Sequence, residues 1–167
     1  FAIIVPTSLS SVLTHHKFNA VDVNIVKSYG IHVIIGVIFG AIFAASLDTK
    51  SLILFFTTVI YLLAIYLLFI KEKETQINLK ISFLTKMIFG FAVGFISAPM
   101  GIGGAIMNVP ILKFFGYSIN RAIGSAAAIG FFIAIFGAIG FLILGSLLKA
   151  NLPLSIGFIN IPAFLIF

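Results

Sequence analysis

Long apolar runs separated by short polar intervals constrain this chain more than any other feature. Clear runs cover 28–47, 52–70 and 122–148, and about 20 apolar residues suffice for a helix to cross a hydrocarbon core of roughly 30 Å. Only 8% of the residues are charged, against about 25% in a typical soluble domain. The sequence therefore excludes a soluble globule, a disordered chain and a nucleic-acid-binding module. It predicts an all-α fold, a polytopic transmembrane helical bundle in a lipid bilayer.

The types and spacing of the side chains give little support for a metal site or a catalytic site. Cysteine is absent, which removes thiolate metal sites. His15 and His16 have no acidic residue or third histidine at ligand spacing, so we interpret them as part of a solvated loop. No Ser/His, His/Glu or paired-carboxylate set lies within the apolar runs. We therefore predict no metal site, no cofactor and no enzymatic activity.

The apolar blocks fall into two groups around the most polar stretch of the chain. We expect residues 1–70 to be the remainder of a first repeat and 87–167 to be a second repeat, joined by a linker at 71–86. Because both ends of the chain lie within apolar runs, we expect a fragment cut inside a membrane segment at each end. The predicted elements are a partial first segment before a loop at 14–27, spans at 28–47 and 52–70 with a tight turn at 48–51 between them, a broken segment at 87–115, a span at 122–148, a loop at 149–153 and a partial span at 155–167.

Positive charges predict the orientation of these spans. The intervals 14–27 and 71–86 lie on one side and contain six lysines, whereas the turn at 48–51 contains only Lys50. An excess of lysine and arginine marks the cytoplasmic side. The intervals 14–27 and 71–86 are therefore predicted to be cytoplasmic in a multi-pass protein of the inner (plasma) membrane. The same count favours a re-entrant segment at 87–115 only slightly over one that crosses.

Helix-breaking residues interrupt the segment 87–115. They are Pro99, Gly101, Gly103, Gly104 and Pro110. A proline in a helix interior removes a donor and clashes with the preceding turn, and broken backbone at membrane depth is tolerated only where protein buries it or where it lines a cavity. We therefore expect two half-helices with an unwound middle.

The start of the second half-helix could hold an anion. A helix that begins near Gly103 and Gly104 would direct unpaired N–H groups and a partial positive charge into the protein. Asn108 adds an uncharged amide donor, and Pro110 is acceptable within the first turn or so. Taken alone, these residues are equally compatible with a glycine-rich helix-packing interface that binds no ligand. The alternative function is thus a non-transporting membrane scaffold or assembly subunit.

A weak internal sequence similarity supports the presence of two repeats. The segments 4–9 and 122–126 each contain a small or hydroxyl pair followed by a long apolar stretch, at an offset of 117 residues. Repeats that carry a glycine- and proline-interrupted segment are typical of secondary transporters.

The order of motifs resembles that of the sulfite exporter TauE/SafE family. The similar segments are Gly94 to Gly104, Asn108-Val-Pro110-Ile-Leu112, Ala122-Ile-Gly124-Ser125-Ala126, Pro6-Thr7-Ser8-Leu9 with the following His16-Lys17 and Val21-Asp22, and Gly157-Phe-Ile-Asn160-Ile-Pro162-Ala163. Two departures stand out: Ala105 occupies a position where the family often has a third glycine, and the first Asn-x-Pro-x-Leu motif would lie before Phe1.

The resemblance implies a secondary carrier of sulfur-containing anions such as sulfite, an organosulfonate or thiosulfate, which exports them by alternating access. A small inorganic or organic anion is the implied partner, and a homodimer is a possible assembly. The implied substrate-binding residues are Gly103 and Gly104 as backbone donors, Asn108, Pro110 and Leu112 as half of the site, and Ser125 and Thr7 as nearby hydroxyls.

Overall fold

The computed structural model describes residues 1–69, 82–148 and 154–162, and over these ranges the chain is predominantly helical. The helices are α1 (Ile4–Lys17), α2 (Val23–Ser46), α3 (Thr49–Phe69), α4 (Phe83–Met100), α5 (Ala105–Phe114) and α6 (Ile119–Leu147), followed by an antiparallel hairpin of β1 (Ser155–Ile156) and β2 (Ile159–Asn160). Of the described helices, α2, α4 and α6 are long and apolar enough to cross a membrane. The predicted all-α polytopic membrane fold is confirmed.

The loop predicted at 14–27 is much shorter than expected, because α1 and α2 are separated only by residues 18–22. The basic residues 15–17 form the last turn of α1, where positive charge is favourable next to unpaired carbonyls. Asp22 caps α2, and its Oδ1 accepts hydrogen bonds from the backbone N–H groups of Asn24 (3.0 Å) and Ile25 (3.2 Å). Most of this polar interval therefore belongs to helix ends.

The other predicted spans also differ at their ends. Helix α2 begins before residue 28, α3 begins at Thr49 and α6 begins at Ile119, so the turn predicted at 48–51 is largely helical. The Asp48 carboxylate accepts a hydrogen bond from the Lys50 N–H at 3.2 Å, which satisfies a donor of the first turn of α3. A hydrogen bond with the Ser51 side chain holds the pKa of Asp48 below its usual range.

The partial span predicted at 155–167 is wrong over its first residues, which form the β1–β2 hairpin. Gly157 has a φ of 59°, a left-handed conformation that suits glycine at a turn. A Cβ on Gly145 of α6 would lie 2.6 Å from the Gly157 Cα, so the hairpin backbone packs directly on α6. The loop predicted at 149–153, residues 163–167 and most of the linker at 71–86 lie outside the described residues; the linker's last residues, from Phe83 on, belong to α4.

Helices α2 and α4 run parallel with their backbones in contact. A Cβ on Gly40 of α2 would lie 2.9 Å from the Phe95 Cα, and one on Gly94 of α4 would lie 2.8 Å from the Val37 nitrogen. Gly36 meets the backbone of Phe91 and Phe95 in the same way. Small residues four positions apart, here Gly36 and Gly40, allow two helices to approach this closely.

Helices α4 and α5 enter and leave the bundle at the same end. The Phe89 ring, near the start of α4, lies 6.3 Å from the Phe114 ring at the end of α5. Phe115 in turn meets Tyr29 in the first turns of α2, with 5.9 Å between ring centroids. Helix α4 therefore runs alongside α2 in the same direction, the chain turns at 101–104, and α5 runs back in the opposite direction. The segment therefore begins and ends at the same end of the bundle, as the re-entrant alternative expects.

The substitution Gly94→Ala tests the α2–α4 contact. Its new Cβ would overlap the Val33 carbonyl and the Val37 backbone, which cannot rotate away, so we expect destabilisation of at least about 1–3 kcal/mol. Gly30→Ala is the matched control on α2, because nothing lies within 4 Å of its Cβ position. Thermal unfolding in detergent should show a lowered midpoint for Gly94→Ala and an unchanged or raised one for Gly30→Ala. Equal midpoints would contradict the packing.

Candidate functional site

Residues 101–104 separate two helix ends. Helix α4 ends where Gly101 adopts a φ of 64° and the N–H groups of Gly101 and Ile102 donate to the carbonyls of Ala98 and Ser97, both at 3.3 Å. Helix α5 begins after Gly104, whose carbonyl accepts the Asn108 N–H at 2.9 Å. The first N–H groups of a helix have no partner within it. The expected break is therefore present at 101–104, but only α5, with 10 residues, is a half-length helix, because α4, with 18 residues, is long enough to cross a membrane.

Glycine is required at position 104 for two reasons. Its φ is 71°, which costs an ordinary residue about 1–2 kcal/mol. A Cβ there would also overlap the end of the Ile133 side chain on α6 and lie 3.0 Å from Asn108 Nδ2. The start of α5 thus packs tightly against α6 and against its own Asn108 amide.

Asn108 is fully buried and only half satisfied. Its Oδ1 accepts a hydrogen bond from the Tyr29 hydroxyl at 3.0 Å. Its Nδ2 has no hydrogen-bond partner within the described part of the chain and lies beside Gly104. A buried unsatisfied donor costs about 1–3 kcal/mol. The amide is therefore poised for an acceptor at the start of α5.

Ser97 is a second buried donor near the break, and it is not among the site residues predicted from the sequence. It is 1% exposed, and its hydroxyl has no partner among the described residues. Other hydroxyls in these helices donate to a carbonyl three or four residues earlier, as Ser8, Thr57 and Ser146 do. The glycines that follow Ser97 mark the break but carry no information on whether this hydroxyl finds a partner.

Pro110 and Leu112 lie further along α5. Pro110 is its sixth residue, so the expectation that it falls in the first turn or so is wrong, and its missing N–H leaves the Ile106 carbonyl without a helical donor. Leu112 is fully buried in the hydrophobic core, and its carbonyl accepts the Tyr117 N–H at 3.1 Å.

A cavity of about 540 Å³ lies at the opposite end of the bundle from Asp22. Its lining includes Ala44, Pro99, Gly101, Phe141, Phe158 and Asn160. Gly101 belongs to the break itself, and Pro99 lies in the last turn of α4. The cavity therefore reaches the break from the end at which α2 and α4 finish.

Among the described residues, no buried side chain carries a permanent charge. The buried polar side chains are His32, Ser97, Asn108 and Ser125. In that same part of the chain, no group of three or more His, Cys, Asp or Glu could hold a metal ion. An anion at the break would therefore be held by neutral donors and the α5 dipole.

Comparison with known proteins identifies the family. The family model described as sulfite exporter TauE/SafE matches residues 1–166. The chain belongs to this family. It is also 32% identical over 166 residues to a "Probable membrane transporter protein" of Haemophilus influenzae, an alignment that covers 99% of this chain and 62% of that protein. The chain thus spans less than two thirds of the length of this relative, and no solved structure matches it significantly. Membership and the apolar helices establish a multi-pass membrane protein.

Two positions that the TauE/SafE resemblance implied as nearby hydroxyls have partners elsewhere. Thr7 is exposed, and its Oγ1 donates to the Ile4 carbonyl at 3.0 Å. Ser125 is fully buried, and its Oγ accepts the Asp22 N–H at 2.9 Å. Ile133 is the residue of α6 that lies next to Gly104. Ser125 comes eight residues before Ile133, a distance of about 12 Å along the helix. Of the implied residues, the structure brings Gly103, Gly104 and Asn108 together at the break.

Ser125 belongs to a junction at which the α1–α2 connection docks on α6. A Cβ on Gly124 would lie 2.7 Å from the Ala20 carbonyl carbon, so backbone meets backbone there. Arg121 Nη1 lies 3.8 Å from Asp22 Oδ2, an exposed pair that contributes little stability. Burial raises the pKa of the nearby Tyr117, the Asp22 carboxylate raises it further, and Arg121 lowers it.

The double substitution Gly104→Ala with Ile133→Val separates the two constraints at Gly104. Gly104→Ala alone should destabilise the protein by both steric overlap and backbone strain, whereas Ile133→Val removes the overlapping Cδ1 and leaves the strain. Thermal unfolding should therefore show partial recovery in the double variant. Gly103→Ala is the control, since its nearest contact is the Ile4 Cγ2 at 3.3 Å. Complete recovery, or none, would contradict this account of Gly104.

Ser125→Ala tests whether Ser125 is structural. Loss of the hydrogen bond from the Asp22 N–H should lower stability by about 1 kcal/mol, measured as the midpoint of thermal unfolding in detergent. Ser146→Ala is the control, because that exposed hydroxyl donates to a carbonyl of its own helix. An unchanged midpoint in Ser125→Ala would contradict a structural role for this hydroxyl.

Proposed function

We propose that this protein is a secondary membrane carrier of sulfur-containing anions, namely sulfite, an organosulfonate or thiosulfate, rather than an enzyme. The observation that carries the proposal is the buried Asn108 amide, whose Nδ2 lacks a partner in the described chain beside the start of α5. Membership of the TauE/SafE family and the resemblance to a probable membrane transporter protein support it.

The chemistry of the break suits an oxyanion. A sulfite or sulfonate group offers only acceptor oxygens, and the start of α5 offers donors: the first N–H groups of the helix and the Asn108 Nδ2. A helix N-terminus adds about half an elementary positive charge. Hydrogen bonds of this kind to a charged group contribute about 1.5–3 kcal/mol each. Because no buried cation of the described residues takes part, release requires no ion pair to break.

Alternating access is the mechanism that we propose. The cavity of about 540 Å³ extends from one end as far as Gly101, and neither Gly104 nor Asn108 lines it. The buried Tyr29, Leu112 and Phe115 lie toward the other end. The carrier would export its anion by opening these two ends in turn. Helices α1 and α6, which carry the two similar sequence segments, run antiparallel to each other, as inverted repeats do. This supports the division into repeats at 1–70 and 87–167.

The orientation in the inner membrane follows from the charged residues at each end. The Asp22 end of the bundle is rich in positive charge, and the cavity end has Lys50 at the start of α3. The positively charged residues at the Asp22 end are Lys17, Lys27, Lys86, Lys113 and Arg121. Lys113 and Arg121 lie at this end because α5 returns to it. By the positive-inside rule, we propose that the Asp22 end is cytoplasmic and that the cavity is the external vestibule. Dimerisation stays a prediction.

Asn108→Ala is the experiment that tests this function. The loss of one charge-assisted hydrogen bond should raise the KM for sulfite by about 10- to 100-fold, measured as flux through proteoliposomes that contain the full-length protein. Asn120→Ala is the matched control, since Asn120 is an exposed asparagine in the first turn of α6. An unchanged KM in Asn108→Ala, for sulfite and for methanesulfonate alike, would overturn the proposed site.

The direct α2–α4 backbone contact at Gly36 and Gly94 favours a second candidate, a membrane scaffold whose glycines serve packing alone. The two functions differ in their response to ligand. A carrier should be protected from thermal unfolding by sulfite more than by an equal concentration of chloride, whereas a scaffold should respond to both salts equally.

A further inference from the structure

Tyr29 makes a buried side-chain hydrogen bond that connects two distant parts of the chain. Its hydroxyl donates to Asn108 Oδ1 at 3.0 Å across 79 residues of sequence, and both side chains are fully buried. We infer that Tyr29 is a positioning residue: its hydroxyl fixes the Asn108 amide so that Nδ2, and not Oδ1, faces the start of α5. This inference rests on the proposed function.

Tyr29 is itself held firmly. Ile25 and Val33, one turn before and after it on the same face of α2, are also fully buried. The Phe115 ring meets the phenol edge-on at a centroid distance of 5.9 Å. Gly90 of α4 packs against the Tyr29 carbonyl, which would lie 3.2 Å from a Cβ at that glycine. The hydroxyl therefore has a fixed position from which to orient the amide.

The orientation of the amide decides what the break can bind. The two ends of an asparagine side chain have opposite chemistry, because Oδ1 only accepts and Nδ2 only donates. A phenol hydroxyl that donates to Oδ1 makes the opposite orientation unfavourable, since a buried O–H would then lose its acceptor. With Oδ1 engaged, Nδ2 is directed to Gly104 at the start of α5, so that the amide adds a donor and not an acceptor to that helix end.

A helix N-terminus with a donor amide beside it best binds ligands that offer acceptor oxygens. A deprotonated sulfite or sulfonate meets this requirement, whereas a neutral acid presents an O–H group that would face another donor. Without the Tyr29 hydroxyl, the amide can turn its Oδ1 toward the break, where the oxygen repels the anion. Tyr29 would thus set selectivity without touching the substrate.

The test is a double-mutant cycle on the full-length protein in proteoliposomes, with sulfite and methanesulfonate as substrates. Tyr29→Phe keeps the ring and its contact with Phe115 and removes only the hydroxyl. We expect it to raise KM about tenfold for both anions. In the Asn108→Ala background the same change should raise KM less than about twofold, because the group through which Tyr29 acts is gone. Tyr61→Phe is the matched control, on an exposed tyrosine of α3.

A second variant covers the case in which Tyr29→Phe does not fold. Asn108→Asp keeps an acceptor for the Tyr29 hydroxyl but replaces the Nδ2 donor with a second acceptor. We expect it to abolish the protection that sulfite gives against thermal unfolding. Retained protection would overturn the inference.

The possible failures are distinguishable. If Asn108→Ala leaves both KM values unchanged, the proposed function fails. The positioning role alone is overturned if Asn108→Ala raises KM and Tyr29→Phe has no effect. It is also overturned if Tyr29→Phe raises KM by the same factor in the Asn108→Ala background as in the unmodified protein.

Discussion

The arrangement of this protein depends on the direct contact between the α2 and α4 backbones. Gly40 and Gly94 leave no room for a side chain between the two helices, and apolar side chains alone give little driving force for helix association in lipid. The contact fixes Tyr29 on α2 relative to the start of α4, and α4 in turn fixes the turn at which α5 begins. The position of the Asn108 amide beside Tyr29 is therefore a consequence of how closely two other helices approach.

The chemistry of the break at 101–104 depends on the absence of buried permanent charge among the described residues. The start of α5 and the buried Asn108 amide meet in a region of the described chain that has no buried permanent charge. Such a site can stabilise an anion through dipoles without a strong ion pair, which suits the proposed carrier function. The proposed membrane orientation rests on positive charge at one end of the bundle, and the proposed site contains none.

The sequence predicted the features whose causes are local. Apolar run length indicated the spans, and glycines and prolines located the break and the start of α5 near Gly104. The hairpin at 155–160 was missed because its apolar residues are equally compatible with a helix, and the left-handed Gly157 is the distinguishing signal. Tyr29 and Ser97 could not be found, because one acts across 79 residues and the other is notable only for a missing partner. Re-entry required the Phe89–Phe114 contact, which no residue count supplies.

The most direct test of the central claim is an experimental structure of the full-length protein with methanesulfonate bound. The account predicts a sulfonate oxygen about 2.9 Å from Asn108 Nδ2, with the Tyr29 hydroxyl still on Oδ1 and the N–H groups at the start of α5 directed at the same anion. An anion bound elsewhere, with the Asn108 Nδ2 unoccupied, would contradict it.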